Sequence, residues 1–461
     1  MREKDLEFLR SASGGKLLGC KDNTVSDVKI DSREAGEGDL FVCVVGEFND
    51  GHRFAEGAYG NGCRVFLMSD EFAAQDLIDA HSDASVILVP DTVKAFEAMA
   101  KKYLDQYSIK KLAVTGSVGK TTTKLLTAAV MGSKYNTLCT KKNLNTNLGL
   151  SMTAFMADET TEAMVFEMGM DGKGQIEEDV SFIDPELAII TNVGISHMER
   201  LGSRDAIADA KLEIVSRFTK DDHLVVNGDS DYLRTEDEIR KRALNKSDFS
   251  VTIVKAPEEI INNGLDGVEF DLEGQHFTLP LIGEQNVIDA CLAIKAGEFF
   301  GVTLAEAADG LAKAESEDRR LKAEDLGGIT LLDDSYNASP DSMKAGLAAL
   351  AAAKGNRKIA ILSDMYELGD AEEEGHFEVG RAAAECGIDM VLATGENSSI
   401  YSQGVSSVKG AKTTVIELGT NRSVLDMVLQ ILMPGDVVLV KGSNGTKISE
   451  VAEGIREELK K

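Results

Sequence analysis

Short apolar runs alternate with helix-forming segments along most of the chain. Between residues 108 and 315 these runs lie at 111–115, 163–166, 187–191 and 223–226. Beyond residue 315 they lie at 328–332, 358–362, 390–393, 413–416 and 436–440. Apolar runs of this length, alternating with helices, are typical of strands buried in parallel sheets. The pattern predicts an α/β fold with two such sheets, the second forming a separate doubly wound domain.

The first 107 residues and two internal segments have different patterns. Short runs separated by turns, followed by a helical stretch at 93–107, predict a small mixed α/β domain; these runs lie at 40–45, 64–68 and 85–89. Alternating positions within 251–281 predict an antiparallel hairpin at the edge of the central sheet. The alanine-rich segment 343–353 predicts a crossover helix. The predicted domains are 1–107, 108–315 and 316–461.

Polar residues follow the predicted strands where the strands end. Glu167 follows one strand, Asn192 the next, and Asn-Gly-Asp at 227–229 the one after. The corresponding segments of the last domain are residues 333–341, 363–369 and 441–447. Ligands of open α/β sheets bind at the carboxyl ends of strands. Three polar loops in one domain therefore indicate a binding face rather than plain turns.

The segment Thr115-Gly-Ser-Val-Gly-Lys-Thr-Thr122 places a glycine loop and a lysine between a strand and a helix. Gly116 and Gly119 allow the backbone N–H groups to approach phosphate oxygens, and the helix N-terminus adds partial positive charge. Lys120 would bridge the β- and γ-phosphates, and Thr121 would offer its hydroxyl to Mg²⁺. A plain glycine-rich turn is the alternative, but Gly-Lys-Thr-Thr directly after a strand favours a nucleotide.

Composition excludes several classes of partner. The chain has 461 residues and a net charge of −29, so its average surface repels nucleic acid and anionic membranes. No stretch approaches the ~20 apolar residues of a membrane span, and the N-terminus lacks the apolar run of a secretory signal. The six cysteines include no Cys-x-x-Cys pair, which indicates reduced thiols rather than a metal cluster. These features predict a soluble cytoplasmic protein.

Three further side chains are candidates for chemistry. Glu167 would reach a metal held by nucleotide phosphates, although on its own it is as readily a solvated strand-end acid. His197 shares the predicted rim with the glycine loop, whereas an isolated histidine is more often a packed or surface residue. Lys211 lies on a predicted helix and would ordinarily be a surface lysine.

Four motifs together resemble the Mur ligases. They are the glycine loop, the segment from Asn192 to His197, Gly283-Glu-Gln-Asn-Val287 and Asp334-Ser-Tyr-Asn-Ala-Ser-Pro340. The resemblance extends from Asp31 to beyond Gly445. It is strongest to the members that add D-alanyl-D-alanine, and the runs that indicate this are Asp31-Ser-Arg33 with Gly46-Glu-Phe-Asn-Asp-Gly-His52, residues 334–340, and Asp364-Met-Tyr-Glu-Leu-Gly369.

The resemblance implies an N-terminal UDP-sugar domain, a central ATPase domain and a C-terminal Rossmann-like domain. It implies that a cytoplasmic monomer uses ATP and Mg²⁺ to join D-Ala-D-Ala to UDP-N-acetylmuramoyl-tripeptide through an acyl phosphate. The product would be the UDP-N-acetylmuramoyl-pentapeptide of peptidoglycan precursor synthesis.

The resemblance also implies roles for individual residues. The catalytic set would be Lys120, Glu167, His197 and Lys211. Thr121 and Glu167 would hold one Mg²⁺, His197 would help to bind a second, and Lys211 matches a family lysine that can become carbamylated. The implied ATP contacts are Gly116, Ser117, Val118, Gly119, Lys120, Thr121, Thr122, Asn286, Arg320 and Asp334. The implied substrate contacts are Ser32, Arg33, Asp50, Gly51 and His52 for uridine, Asn143, Asn145 and Thr146 for the muramyl peptide, and Tyr336 and Asn337 for the dipeptide or the tripeptide end.

Some positions depart from the usual patterns. Val114 stands where the full P-loop pattern has glycine, and the shorter loop is the form that resembles the Mur ligases. Thr146 replaces a repeated asparagine, Ser151 a proline after Gly-Leu, and Asn444 an arginine after Lys-Gly-Ser. None of these changes Lys120 or the other predicted residues of ATP chemistry.

Other functions remain open from the sequence. A Mur ligase that adds a single amino acid would share the ATP-site residues, but the runs at 334–340 and 364–369 argue against it. A P-loop regulatory NTPase would need a sensor or switch element, and the sequence has no recognisable one. A binding protein without catalysis is disfavoured because the predicted catalytic residues are intact. The third residue of the tripeptide, lysine or diaminopimelate, is left open.

Overall fold

A computed structural model describes residues 2–46, 49–245 and 247–460. The strands are β1 (Lys4–Asp5), β2 (Lys16–Gly19), β3 (Thr24–Val25), β4 (Asp27–Lys29), β5 (Asp39–Val42), β6 (Val65–Met68), β7 (Ser85–Leu88), β8 (Lys110–Thr115), β9 (Thr137–Cys139), β10 (Ala163–Glu167), β11 (Leu187–Ile190), β12 (His223–Asn227), β13 (Ser250–Val254), β14 (Ile260–Asn262), β15 (Val268–Leu272), β16 (Gln275–Leu279), β17 (Lys322–Asp325), β18 (Thr330–Asp334), β19 (Lys358–Leu362), β20 (Met390–Thr394), β21 (Thr414–Leu418) and β22 (Val437–Lys441).

The α-helices alternate with these strands over most of the chain. They are α1 (Leu6–Ser13), α2 (Ala55–Gly60), α3 (Glu71–Ala80), α4 (Thr92–Leu104), α5 (Lys120–Gly132), α6 (Asn147–Ala154), α7 (Gln175–Ile183), α8 (Met198–Leu201), α9 (Arg204–Lys211), α10 (Glu236–Arg242), α11 (Gln285–Phe299), α12 (Leu304–Leu311), α13 (Pro340–Ala352), α14 (Glu372–Glu385), α15 (Ser398–Ser407), α16 (Asn421–Ile431) and α17 (Ser449–Leu459). The predicted α/β class is confirmed. Within the described residues, no helix is long and apolar enough to cross a bilayer.

The chain forms two compact units. The first comprises Met1–Ala113, Tyr135–Met170 and Gln175–Glu186, and the second comprises Val114–Lys134, Asp171–Gly174 and Leu187–Lys461. The three predicted domain ranges follow different boundaries and stay a prediction.

The first unit contains a five-stranded sheet of order β2-β7-β6-β5-β4. Its strands β4 to β7 are parallel, and β2 is antiparallel to β7. The apolar runs predicted near 40–45, 64–68 and 85–89 form β5, β6 and β7, which are almost entirely buried. Asp91 caps α4 by accepting the N–H groups of Val93 and Lys94, and the helix packs against α1 and α6.

The central part of the second unit contains α5, α8 to α12 and the parallel strands β11, β12 and β13. The hairpin predicted near residue 270 is present as β15 and β16, but its predicted place at the edge of the central sheet is wrong. The hairpin forms a separate antiparallel sheet with β14. Residues 250–254 are the segment that pairs with β12 instead, because their β-branched side chains continue the parallel sheet.

The C-terminal part of the second unit, β17 to α17, has a sheet of order β17-β18-β22-β19-β20-β21. All its neighbouring strands are parallel except β17 and β18. Leu332 belongs to one apolar core with α13, α14 and α15, and the adjacent Leu331 belongs to another with α16 and α17. Successive strand residues point to opposite faces, so helices cover both faces, as the doubly wound prediction requires.

Two local features differ from the pattern. The predicted crossover helix begins at Pro340, three residues early, because Ser339 and Ser342 form a capping box and proline occupies the first turn. Strand β17 has the sequence Lys-Ala-Glu-Asp and no apolar run, so the hydrophobic pattern did not predict it. It is an edge strand whose Glu324 pairs with Arg456 of α17 and with Lys460, the residue after that helix.

Candidate active site

The glycine loop between β8 and α5 follows a path that side chains would block. A Cβ on Gly116 would lie 1.8 Å from Oγ1 of Thr191. Gly119 has φ of +83°, and a Cβ there would lie 2.9 Å from Oδ1 of Asp289. Within the described residues no side chain caps the first turn of α5. A helix N-terminus without a side-chain cap can bind an anion through its backbone N–H groups.

The end of β11 holds this loop in place. Oδ1 of Asn192 accepts the N–H groups of Ser117 at 3.0 Å and Val118 at 2.9 Å. The hydroxyl of Thr191 donates to the carbonyl of Val118 at 2.5 Å, and the N–H of Gly194 donates to Oγ of Ser117 at 2.9 Å. With the N–H of Ser117 also donating to the carbonyl of Asn192 at 3.2 Å, five hydrogen bonds from one strand end fix the loop. The sequence indicates Asn192 only as a polar strand-end residue and as the start of a motif.

Lys120 and Thr121 open α5 with the side chains predicted to meet phosphate and metal. Nζ of Lys120 donates to the carbonyl of Gly116 at 2.8 Å, so the ammonium lies over its own loop. The hydroxyl of Thr121 accepts a hydrogen bond from Nη2 of Arg320 at 3.1 Å. The guanidinium of Arg320 lies 3.9 Å from the centre of the Tyr336 ring. Positive charge and backbone N–H groups thus meet at one loop, an arrangement that can bind phosphate.

Helix α11 lies behind the loop and carries Asn286 and Asp289. The side-chain amide of Asn286 donates to the carbonyl of Ile282 at 2.8 Å. Asp289 accepts the hydroxyl of Thr123 at 2.9 Å. Burial raises the pKa of the Asp289 carboxyl to about 7, against the opposing effect of the Thr123 hydrogen bond. Asp289 was not predicted as a site residue, and its position three residues after Asn286 was the available signal.

The strand-end loops of the C-terminal part meet around Asp334. Its Oδ2 lies 2.5 Å from Nζ of Lys441, and its Oδ1 accepts the N–H of Leu321 at 3.2 Å. Lys441 also donates to the carbonyl of Asn337 at 3.2 Å. The buried ion pair therefore joins two of the three polar loops that were predicted to share a binding face.

Lys211 is buried, so the expectation of an ordinary surface lysine is wrong. Lys211 is the last residue of α9 and is only 1% exposed. Burial, with a smaller contribution from the charge of Lys120, lowers the pKa of the Lys211 amine well below its ordinary value. A neutral amine is the nucleophilic form of lysine, which suits the carbamylation implied by the resemblance.

His197 lies in the loop after β11, in a left-handed conformation with φ of +63°. Its Nδ1 lies 2.8 Å from Oε2 of Glu367, which comes from the loop after β19, and 3.7 Å from Oδ1 of Asp171. The hydrogen bond with His197 lowers the pKa of the Glu367 carboxyl. The sequence indicates Glu367 only as part of the run 364–369.

Glu167 and the predicted muramyl-peptide residues lie in the first unit. Glu167 ends β10 and is buried, and its Oε1 accepts the side-chain amide of Asn145 at 3.1 Å. The backbone carbonyl of Asn145 accepts the N–H of Gly169 at 2.9 Å. Asn143 and Thr146 on the same segment are exposed. The segment therefore offers polar side chains next to a buried carboxylate.

The predicted uridine residues also lie in the first unit. The Arg33 side chain folds back on Asp31 with three hydrogen bonds of 2.5 to 3.1 Å, and this contact lowers the pKa of Asp31 to about 2. Nδ1 of His52 lies 2.6 Å from Oδ1 of Asp50, while Nε2 accepts the N–H groups of Ser69 and Asp70. His52 thus has both ring nitrogens occupied by the protein.

The remaining predicted contact residues for uridine and for ATP are placed as follows. The backbone carbonyl of Ser32 accepts a hydrogen bond from the side-chain amide of Asn61. The backbone of Gly51 lies against Val44, and a Cβ on Gly51 would be 2.7 Å from the amide nitrogen of Val44. Thr122 follows Thr121 in α5 and is half-buried. Glu47 and Phe48, which belong to the motif quoted for the uridine side, lie outside the described residues.

The residues present fit a magnesium ion that is bound partly through phosphate. In the second unit the predicted donors are the hydroxyl of Thr121 and the imidazole of His197, and in the first unit the predicted donor is the buried carboxylate of Glu167. In the described parts of the chain, no three histidine, cysteine or acidic side chains gather as a metal centre. Mg²⁺ usually takes one or two carboxylates and completes its shell with phosphate oxygens and water, so a sparse oxygen-rich donor set is the expected one.

A cavity of about 610 Å³ opens beside the loop within the second unit. Residues 192–195 and Arg204 line one side, and the beginning of α13 with part of α14 lines the other. Its volume falls in the range of small-molecule sites.

Three family models match the chain in succession. They are the Mur ligase family catalytic domain at residues 24–104, the Mur ligase middle domain at 114–297 and the Mur ligase glutamate ligase domain at 319–444. Each match covers one of three consecutive α/β regions, which confirms the three-domain α/β architecture.

Curated relatives match over nearly the full length. The UDP-N-acetylmuramoyl-tripeptide--D-alanyl-D-alanine ligase of Bacillus subtilis (strain 168) is 34% identical over 94% of this chain and 93% of its own. The ligase of the same name from Escherichia coli (strain K12) is 33% identical over 98% of each chain. A crystal structure of MurF from Acinetobacter baumannii superimposes with a TM-score of 0.86 at 26% identity and covers 99% of each chain.

Proposed function

The chain belongs to the Mur ligase family, and from this premise we propose that it joins D-Ala-D-Ala to UDP-N-acetylmuramoyl-tripeptide with hydrolysis of ATP. One observation carries the geometry of this proposal. Arg320, which precedes the C-terminal sheet, donates a hydrogen bond to the hydroxyl of Thr121, in the first turn of the helix after the phosphate loop. The nucleotide loop and the part of the chain that carries the 334–340 and 364–369 runs therefore meet at one place.

The reaction requires a carboxylate to attack a polyanion. An oxygen of the tripeptide carboxylate forms a bond to the γ-phosphorus while the bond to ADP breaks, giving an acyl phosphate. The dipeptide amine then attacks the acyl carbon, loses a proton, and inorganic phosphate leaves with the original carboxylate oxygen. Repulsion between the reactants must be cancelled and their geometry fixed. Lys120 and the N–H groups at the start of α5 would supply this.

Two Mg²⁺ ions belong to the proposed reaction. Thr121 and Glu167 would bind one, and His197, with Lys211 in carbamylated form, would help to bind the second. Bound Mg²⁺ would neutralise the phosphate charge that develops during transfer. The lowered pKa of the Lys211 amine supports this role, because it favours the unprotonated form, which is the form that takes up carbon dioxide.

The nucleotide and the substrates would be bound by the other predicted residues. Asn286, Arg320 and Asp334 would contact adenosine. Arg33 and the segment 50–52 would line the uridine side, where His52 would shape the pocket because both its nitrogens are already occupied. Asn143, Asn145 and Thr146 would face the muramyl peptide, and Tyr336 and Asn337 the dipeptide or the peptide end. We also propose that the enzyme acts in the cytoplasm as a monomer.

An omission assay tests the function. Phosphate release is measured with ATP, Mg²⁺, UDP-N-acetylmuramoyl-tripeptide and D-Ala-D-Ala, and again with each component left out in turn. We expect release only with all four, and a product heavier than the tripeptide by one dipeptide. Release that proceeds unchanged without the dipeptide would contradict the proposal. Preference for a single amino acid would assign the chain to another Mur ligase activity, and comparing lysine- and diaminopimelate-containing tripeptides would identify the third residue.

A further inference from the structure

Glu367 contacts the histidine of the candidate site from a different part of the second unit. His197 follows β11, whereas Glu367 follows β19, and the two side chains meet at 2.8 Å. Both residues have left-handed backbones, with φ of +63° and +66°. Such conformations are unfavourable for residues other than glycine and persist only where the surroundings impose them. The contact is therefore a built feature of both loops.

Hydrogen bonds to His376 and Ser443 anchor the loop that carries Glu367. The N–H of Met365 donates to Nε2 of the buried His376 at 3.0 Å, and the N–H of Tyr366 donates to Oγ of Ser443 at 2.9 Å. On the other side, Leu368 is buried in the core beneath α13 and α14. These fixed neighbours on both sides set the direction of the Glu367 side chain.

The same loop docks against α8, the short helix that follows His197. Gly369 has φ of +54°, and a Cβ there would lie 3.3 Å from Cα of Glu199 and 3.4 Å from its nitrogen. The backbones therefore meet at a distance that a side chain would disturb. The contact between the carboxylate and His197 thus lies beside this docked surface.

The contact defines which nitrogen of His197 is available. Nδ1 lies against the Glu367 carboxylate, so Nε2 is the ring nitrogen that remains for another ligand. Asp171 lies farther from Nδ1, at 3.7 Å, and is itself 3.4 Å from Arg200. Among the described residues, no hydrogen bond to Nε2 occurs. Metal-binding histidines characteristically donate their second nitrogen to a carboxylate in this way.

We propose that Glu367 is a positioning residue that sets the ring of His197 with Nε2 towards the second cation, and that it does so only when the C-terminal part is docked on α8. The inference rests on the proposed function, in which His197 helps to bind that cation. To that function the inference adds Glu367 as a positioning residue. It also adds the condition that the second metal site is complete only when the C-terminal part is docked on α8.

Manganese binding provides a test independent of turnover. Mn²⁺ is titrated into the full-length protein saturated with ADP, free Mn²⁺ is counted by electron paramagnetic resonance, and the nitrogen coupling of bound Mn²⁺ is read from electron spin echo modulation. Wild type should show an imidazole coupling that His197→Ala removes. Glu367→Ala should weaken the histidine-linked Mn²⁺ by about 10- to 100-fold and diminish the coupling, with ADP affinity unchanged within about twofold. Glu373→Ala, at an exposed acid six residues away, is the matched control.

Two further variants separate the parts of the inference. Glu367→Gln keeps an acceptor oxygen and should lose less Mn²⁺ affinity than Glu367→Ala. Gly369→Ala keeps both side chains but disturbs docking, so it should weaken the same Mn²⁺ site. Unchanged Mn²⁺ binding in Glu367→Ala would overturn the positioning role, and unchanged binding in Gly369→Ala would overturn the docking condition. Absence of imidazole coupling in wild type would overturn the inference as a whole, while the omission assay would still decide the proposed function separately.

Discussion

Replacing Asn192 with alanine should weaken nucleotide binding without unfolding the protein. The substitution removes the oxygen that accepts the N–H groups of Ser117 and Val118. Ser117 keeps a second acceptor, the backbone carbonyl of residue 192 at 3.2 Å. Val118 loses the acceptor that the side chain supplied. The structure therefore predicts one orphaned N–H group rather than two.

The size of the effect follows from that count. An unsatisfied buried N–H group costs about 1–3 kcal/mol, and Val118 is only half-buried, so about 1–2 kcal/mol is expected. Since about 1.4 kcal/mol corresponds to a tenfold change in affinity, ADP should bind roughly 5- to 30-fold more weakly. This free-energy cost lowers the affinity for ADP because the nucleotide must then order a loop that the end of β11 no longer holds in place.

Calorimetric titration of ADP with Mg²⁺ measures the change, with circular dichroism as a check on folding. Asn227→Ala is a matched control, because Asn227 ends the neighbouring strand and its side chain accepts only the N–H of Asp229 among the described contacts. The control should bind ADP within about twofold of wild type. A folded Asn192→Ala protein with unchanged ADP affinity would refute the idea that β11 fixes the phosphate loop.

Three further substitutions test other parts of the site. Lys120→Ala should abolish turnover while circular dichroism stays unchanged; retained activity would show that the loop is not the ATP site. Gly116→Ala should lose nucleotide binding in the same titration, because its Cβ would lie 1.8 Å from Thr191; normal binding would contradict the close approach. Asp289→Asn should alter the pH dependence of stability, since burial raises this pKa from 3.8 to about 7. The folded wild type holds the proton more tightly than the unfolded chain, so its stability falls as pH rises from about 4 to 7, by on the order of 1.4 kcal/mol for each pH unit in that window. Urea unfolding at pH 5 and pH 8 should therefore show that the free energy of unfolding of the variant, relative to wild type, is higher at pH 8 than at pH 5. The same difference between variant and wild type at both pH values would contradict the assignment.

The hydrophobic pattern predicted the strands well where both sheet faces are buried. The runs at 358–362 and 390–393 coincide with β19 and β20 to within one residue. It failed where pairing depends on neighbours distant in sequence. The Lys-Ala-Glu-Asp segment of β17 carries no apolar signal, and residues 251–254 were included in the segment predicted to form a hairpin although they pair with β12.

The site divides in the same way. Gly116, Gly119 and Lys120 were predictable because phosphate binding constrains adjacent residues. The burial of Lys211 was not, since nothing in its helix distinguishes it from a surface lysine. The contact between His197 and Glu367 joins residues 170 positions apart, so only the packing of α8 against the later loop reveals it.

The most direct test of the central claim follows one oxygen atom. The terminal carboxylate of UDP-N-acetylmuramoyl-tripeptide is labelled with ¹⁸O, and the protein is supplied with ATP, Mg²⁺ and D-Ala-D-Ala. Attack of the carboxylate on the γ-phosphate, followed by attack of the amine on the acyl carbon, must transfer one labelled oxygen to phosphate. Mass spectrometry should find one ¹⁸O in the released phosphate for each pentapeptide formed. Pentapeptide accompanied by unlabelled phosphate, or labelled phosphate with no dipeptide incorporated, would contradict the account.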